Sequence, residues 1–412
     1  MNTYKKILSI ILSCAVLWAL VPLNQTYATE MTTATDKVVT TISALQTALN
    51  TGGAIILGSD IGGTEPLTVK ENSTLDLNGY KLSVVTKNIM ENGILIELGK
   101  TLTIKDSKWN IKKPGKGKLY VKGSTGIQTT GATLIIDSGV VESTGSFEAG
   151  IGGGSEYNLC DNGTVIINDG IVSATGGVAG TYGGAGIGGV ENGNGGTVTI
   201  NGGKVIAIAG AGAGIGGGGV ASERDSSNGG TITINGGTVT AIGAWYGSGL
   251  GDGNFIDSIG TVSITGGNIK ATAGSDKAYD VGSSNNESLN VTGGTLELTT
   301  ADRGTNAKKP HFTNCTIKGA GAGNFKGIYD ANEKLKTVNI TFDANGGKID
   351  KRIRFIIKNT CIRNMKIAKT PVHNGYAFKG WYTKKVGGTK ITKNTAVPLT
   401  KKIYYAHWSK KK

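Results

Sequence analysis

The chain has 412 residues, 68 of them glycine, yet no Gly-X-Y period runs through it, which excludes a collagen-type triple helix. An apolar fraction of 38% is low for a globule of this length but suits a thin solenoid in which each coil buries few side chains. The net charge of +14 belongs to one end: residues 337–412 hold 18 Lys/Arg against Asp343 and Asp350, or +16, leaving 25 against 27, or −2, elsewhere. No RNA-binding sheet or helix-turn-helix accompanies that charge, so a nucleic-acid partner is not expected.

Met1–Ala28 carries Lys5 and Lys6, an apolar run from Ile7 to Leu23 and small residues before the end of Thr26-Tyr27-Ala28. This is the pattern of a secretory signal cut after Ala28. Cys14 has apolar residues well beyond it, which argues against a lipid-anchored start. No later apolar run is long enough to cross a membrane. Residues 29–40 are polar and Thr-rich and are expected to form a flexible lead-in. Residues 43–50 place Leu45 and Leu49 four apart, with Thr41 or Ser43 as N-cap and Gly52-Gly53 as a stop, predicting a short helix. Such a helix would lid the open first edge of a sheet stack.

Short apolar-alternating runs then begin at Ala54–Leu57, Leu75–Leu82 and Leu102–Ile104. From Thr133 one phrase recurs: TLIIDSGVV, TVIINDGIV at Thr164, TVTINGGKV at Thr197, TITINGGTV at Thr231, TVSITGGNI at Thr261, and a fainter LNVTGGTLEL at Leu289. By subtraction the starts lie 31, 33, 34, 30 and 28 residues apart. Self-similarity at that period marks stacked units that bury a core only through their neighbours. Within each unit a β-branched alternation reads as a strand, a Gly-rich corner follows, and a second alternating run leads away. A small-residue phrase around one apolar residue completes the unit: AGIGGG at Ala149, AGIGGV at Ala185, AGIGGG at Ala213, SGLGDG at Ser248. Three short strands and no room for a helix predict a right-handed parallel β-helix over residues 41–333, capped by the short helix. It would have roughly nine or ten coils stacked about 4.8 Å apart. Ile151, Ile187, Ile215, Leu250 and Val281 are expected to form one inward ladder.

The opening TISALQTALNTGGAIILGSDI with LDLNGYKL and KTLTIKDS resembles the start of pectate-lyase-like β-helices of bacterial surface proteins. The repeated GTVTINGGTVTA and AGIGGG phrases are similar to the Gly-rich coils of exported carbohydrate-binding proteins. Together these resemblances cover roughly residues 38–330 and imply architecture more than activity. From Lys334 glycine thins and lysine rises. ITFDANGG, GYAFKGWYT and IYYAHW resemble the Listeria–Bacteroides, or internalin-type B, repeat, so residues 334–412 are expected to fold as a basic, β-grasp-like module. That resemblance implies a spacer or adhesive unit on a Gram-positive surface. KRIRFIIKNTCIRNMKIAK, at 351–369, is longer and more basic than the family's usual strand and turn.

Catalysis on a glycosidic bond needs two carboxylates about 5–9.5 Å apart. The repeats offer Asp137, Asp169, Asp252, Asp257, Glu142 and Glu191. Asp137 and Asp169, with Asn201 and Asn235, are read as a corner column whose side chains cap backbone amides, a turn device ahead of calcium binding or catalysis. Gly212–Gly217 satisfies G-x-G-x-x-G, but no helix follows it, so nucleotide binding is rejected. Outward Thr pairs such as Thr197/Thr199 and Thr231/Thr233 are plain strand surface or a weak echo of an ice-binding array. Cys160, Cys315 and Cys361 are too scattered for a disulfide framework or a metal site.

Trp245, Tyr246, Tyr182 and Tyr157 all fall between second and third strands, where exposed rings would stack on sugars. They are the candidate ligand contacts, with covering of the Gly-rich face as the alternative. Trp381, Tyr376, Phe378 and Trp408 are read as the core of the C-terminal module. No catalytic residue, metal or cofactor is assigned. The expectation is an exported, cell-surface, non-catalytic adhesion or carbohydrate-binding protein whose partners are glycans or cell-wall polyanions. A polysaccharide lyase or hydrolase on the same scaffold, and a passive spacer, are the competing readings.

Overall fold

The computed structural model describes residues 36–110, 117–154, 161–179, 182–219, 227–253, 260–282, 289–307, 310–323, 327–334, 336–356, 370–392, 395 and 401–411. Residues 1–28, read from the sequence as an export signal, lie outside these residues, as do Tyr157, Cys160, Asp257 and Cys361.

Three sheets carry the stretch from Lys37 to Ile328. Sheet A has eleven strands, from Lys37–Val39 to His311–Phe312; sheet B has eleven, from Ile61–Gly63 to Gly327–Ile328; sheet C has eight, from Leu67–Val69 to Val281–Gly282. The chain visits A, B and C in turn, and up to Thr316–Lys318 the strands pair in parallel with their counterparts one coil on, as in Thr164–Ile167 against Thr197–Ile200. This is a parallel β-helix, as the repeat period predicts. Among the described residues eight coils are complete, and two more contribute strands to A and B.

The recurring phrase is the coil. Thr133, Thr164, Thr197, Thr231 and Thr261 pair one to the next, so unequal spacings are absorbed in the corners and not in the strands. Alternation follows. Val165, Val198, Ile232 and Val262 point inward with Ile167, Ile200, Ile234 and Ile264, and all are fully buried. Ile151, Ile187, Ile215, Leu250 and Val281 stack as the ladder of sheet C. Each such side chain contributes about 1.5–3 kcal/mol of apolar burial. The residue after each Ile in this ladder must be small. Gly216 has φ 138°, and a Cβ built on it would overlap the carbonyl oxygen of Gly251 on the next coil.

The corner between sheets A and B holds a hydrogen-bonded column. Asn168 Nδ2 donates to Asp137 Oδ1 at 2.7 Å, Asn201 Nδ2 to Asn168 Oδ1 at 2.8 Å, and Asn235 Nδ2 to Asn201 Oδ1 at 2.8 Å. Thr265 Oγ1 closes it on Asn235 Oδ1 at 2.8 Å. Asp169, expected in this column, lies one residue past it and accepts from Trp109 Nε1 at 3.1 Å. The slot is the fifth residue of each phrase counted from its Thr, which is Asn168.

Both ends of the stack are closed. Helix α1, Ile42–Thr51, starts at the N-cap Thr41, whose Oγ1 accepts from the Ala44 amide at 3.2 Å. Leu45, Ala48 and Leu49 pack onto the first coil. The Gln46 amide group stands in for a missing strand, accepting from the Thr68 N–H and donating to the Thr68 carbonyl, both at 2.9 Å. Part of the expected lead-in is itself structure: Lys37–Val39 pairs with Ile55–Leu57 and buries Val39. At the far end Gly327–Ile328 turns antiparallel onto Thr316–Lys318, and Tyr329 packs on Phe312 with ring centroids 5.5 Å apart. Cys315 lies beneath this cap, and burial pushes its thiol up to about 11. A thiol reagent at pH 8 should therefore leave Cys315 unmodified in the native protein and label it in denaturant. Native-state labelling at the rate of a free thiol would contradict the cap.

The C-terminal sheet has four strands in the order Asp350–Ile356, Thr337–Asp343, Lys402–Lys410, Tyr376–Tyr382, the central pair parallel and the outer pairs antiparallel. Ile340, Phe342, Trp381, Tyr404 and Ala406 form its core, with Phe378 and Trp408 packed against it. Tyr376, read as core from the sequence, is 37% exposed and stacks on His373 at 4.3 Å. It begins its strand beyond the core, so one face of its ring is left to the histidine.

Candidate functional site

The corner between sheets B and C is where coils differ, and three successive coils build a cleft there. The first contributes Trp245 and Tyr246, between Thr238–Ile242 and Leu250–Gly251; the second contributes Lys277 and Tyr279, ahead of Val281–Gly282; the third contributes Arg303. A hollow of about 450 Å³ is lined by Tyr246, Lys277, Tyr279 and Arg303 with Ser248 and Asp252. A second, about 600 Å³, lies beside it against Trp245, Ser275 and Asp276. Tyr246 and Lys277 line both, forming the ridge between them. These volumes fall in the range of small-ligand sites.

Backbone hydrogen bonds fix the turn that displays the two rings. The Ala244 N–H donates to the Gly212 carbonyl at 3.0 Å, Gly247 to Ala244 at 2.8 Å, and Gly274 to Gly247 at 2.9 Å. Trp245 itself has φ 54°, a left-handed conformation that costs a bulky residue on the order of 1–3 kcal/mol. The indole so held is 50% exposed and the Tyr246 ring 41% exposed.

The cations are held over rings. Lys277 Nζ sits 5.9 Å from the Tyr246 centroid, and Arg303 Cζ 5.2 Å from that of Tyr279. Arg303 Nη1 also donates to the Tyr279 hydroxyl at 3.0 Å. Beneath the cleft, Asp280 is fully buried and accepts from the Ala273 and Thr300 amides at 2.8 and 2.9 Å. Burial raises its carboxyl above the ordinary value, partly offset by those hydrogen bonds. Asp252 is only 3% exposed.

Of the four aromatic candidates, Trp245 and Tyr246 come together. Tyr182 lies two coils earlier at the same corner, its backbone in a short hairpin of Val178–Ala179 with Tyr182–Gly183. Lys277, Tyr279 and Arg303 escaped the sequence reading because they follow the recurring phrase, in stretches that share no wording. Their signal was positional: each occupies the same corner of a later coil.

Among the described residues, three of the other candidate carboxylates are each engaged elsewhere. Asp137 belongs to the asparagine column, Asp169 to Trp109, and Glu142 pairs with Lys118 at 2.7 Å. Among the described residues, no group of three or more His, Cys, Asp or Glu is placed to hold a metal ion. On sheet A the threonines form one column of six (Thr101, Thr133, Thr164, Thr197, Thr231, Thr261). The neighbouring column mixes Thr103, Ile135, Ile166, Thr199, Thr233 and Ser263, so hydroxyls are regular in one direction only.

Residues 339–407 match the family model of the Listeria-Bacteroides repeat domain, a module typical of surface proteins. No curated protein and no solved structure matches the chain. Among the described residues no helix is long and apolar enough to cross a membrane.

Proposed function

We propose that this is an exported surface protein that binds glycans without cleaving them, through the cleft of Trp245 and Tyr246. The observation that carries the reading is an exposed indole held in a left-handed backbone beside a tyrosine, on a turn pinned by its neighbours. Flat apolar faces with polar edges are what sugar rings stack on, and a pinned turn offers them with little ordering cost. A lyase or hydrolase on the same scaffold is the weaker reading: Asp252 lines the hollow beside Lys277 and Arg303 but is only 3% exposed, and the exposed Asp276 lines the other hollow. A titration of the full chain with oligosaccharides, followed by tryptophan fluorescence, tests the proposal. A saturable change should appear in the wild type and vanish in Trp245→Ala, whose melting temperature stays within about 2 °C. An identical change in the variant would remove the site from this cleft.

The basic end supports attachment to the wall by charge. Its +16 attracts polyanions such as teichoic acids without needing a pocket. Screening shortens from about 10 Å at 0.1 M salt to about 3 Å at 1 M, so protein bound to purified walls should elute below roughly 0.5 M NaCl. Retention at 1 M, or equal retention on walls stripped of teichoic acid, would rule this attachment out.

A further inference from the structure

Resting on the glycan reading, we infer that the cleft selects a sugar bearing an oxyanion, a carboxylate or a phosphate, and that Lys277 and Arg303 read it. Among the described residues neither cation has a carboxylate partner within ion-pair distance. Lys100, Lys118 and Lys318, by contrast, each sit on a glutamate at 2.7 to 2.8 Å. Instead, one cation lies over each tyrosine of the cleft, and the hydrogen bond to the Tyr279 hydroxyl holds the guanidinium in place.

The surrounding charge makes this local. Outside residues 337–412 the chain carries −2 overall, so two cations converging on one hollow are not part of a general basic field. In that hollow the two cations face one carboxylate, Asp252, which lines it at only 3% exposure, while Asp280 is fully buried. The exposed Asp276 lines the other hollow, on the Trp245 side. The oxyanion is therefore assigned to the hollow walled by Tyr279 and Arg303, and an uncharged ring to the Trp245 side. A planar guanidinium presents a fork that fits carboxylate or phosphate oxygens two at a time, while the ammonium adds a point charge.

The test uses the full chain at low salt with four probes: a uronic-acid trisaccharide, its methyl ester, a sugar phosphate and inorganic phosphate. At least one charged sugar should bind tenfold or more tighter than the methyl ester, and inorganic phosphate should bind far more weakly than either sugar. Lys277→Gln and Arg303→Gln should each bring the charged sugar down to the level of the ester, with melting temperature unchanged. Tyr246→Ala should abolish both. The ranking of uronate against sugar phosphate identifies which oxyanion is read. Equal binding of uronate, sugar phosphate and methyl ester would overturn the inference while leaving the glycan site standing. Binding of the charged sugar that survives Lys277→Gln/Arg303→Gln would overturn it too, placing the attraction in the basic C-terminal region. Failure of every sugar to bind would overturn the glycan reading itself.

Discussion

Ile215→Asp is expected to abolish the folded β-helix. Ile215 is fully buried, paired with Ile187 on one side and Leu250 on the other, so the carboxylate would have apolar neighbours above and below and no cation in reach. An uncompensated buried charge costs several kcal/mol even after relaxation, a large part of the roughly 5–15 kcal/mol that holds a typical domain together. Because each coil is bounded only by its neighbours, the damage propagates along the stack. Loss of the β signal in circular dichroism at 25 °C, or a collapse of the melting temperature, is the expected readout. Thr199→Ser, on the outward face of the sheet A strand of the same coil, should cost under about 0.5 kcal/mol. Equal damage from both would show that the inward and outward faces are assigned wrongly.

Gly216→Val should be nearly as harmful, for a backbone reason. The position combines φ 138° with a carbonyl of the next coil where the Cβ would go. Left-handed strain of about 1–3 kcal/mol adds to an overpacking cost of similar size, giving about 2–5 kcal/mol in all. Gly62→Ala is the control. That glycine has an ordinary φ and nothing within 4 Å of an added Cβ, so it should tolerate alanine with a change below about 1 kcal/mol. Chemical denaturation of both variants separates them, and a neutral Gly216→Val would mean that sheet C does not stack as described.

The architecture was legible in the sequence because its determinants are periodic. The Thr-led phrase fixes the strand register, and the lone apolar residue of each AGIGG phrase fixes the third ladder, without any knowledge of long-range contacts. The helical lid was equally local, set by Thr41, the Leu45–Leu49 spacing and Gly52. What was missed is aperiodic. Asp169 was placed in the corner column because it is a carboxylate near Asp137 in the phrase, although the offset from the leading Thr selects Asn168. Lys277, Tyr279 and Arg303 meet Tyr246 only because coils stack, and nothing in their own stretches marks them. Trp245 and Tyr246 stood out because aromatics are scarce in the repeats, yet the left-handed turn that exposes the indole is a property of the folded backbone. In the C-terminal module the aromatic phrases were right as a group. Tyr376 and Phe342 show that which ring lies inside depends on the strand's pairing, which spacing alone does not give.

The central claim is that the cleft at the B–C corner is where this protein meets a glycan. The most direct measurement is a glycan array probed in parallel with the wild-type chain and with Trp245→Ala/Tyr246→Ala, each first shown to have the same melting temperature. The account predicts a set of sugars bound by the wild type and lost, by tenfold or more in signal, in the double variant. The same sugars bound with the same strength by both proteins would contradict it.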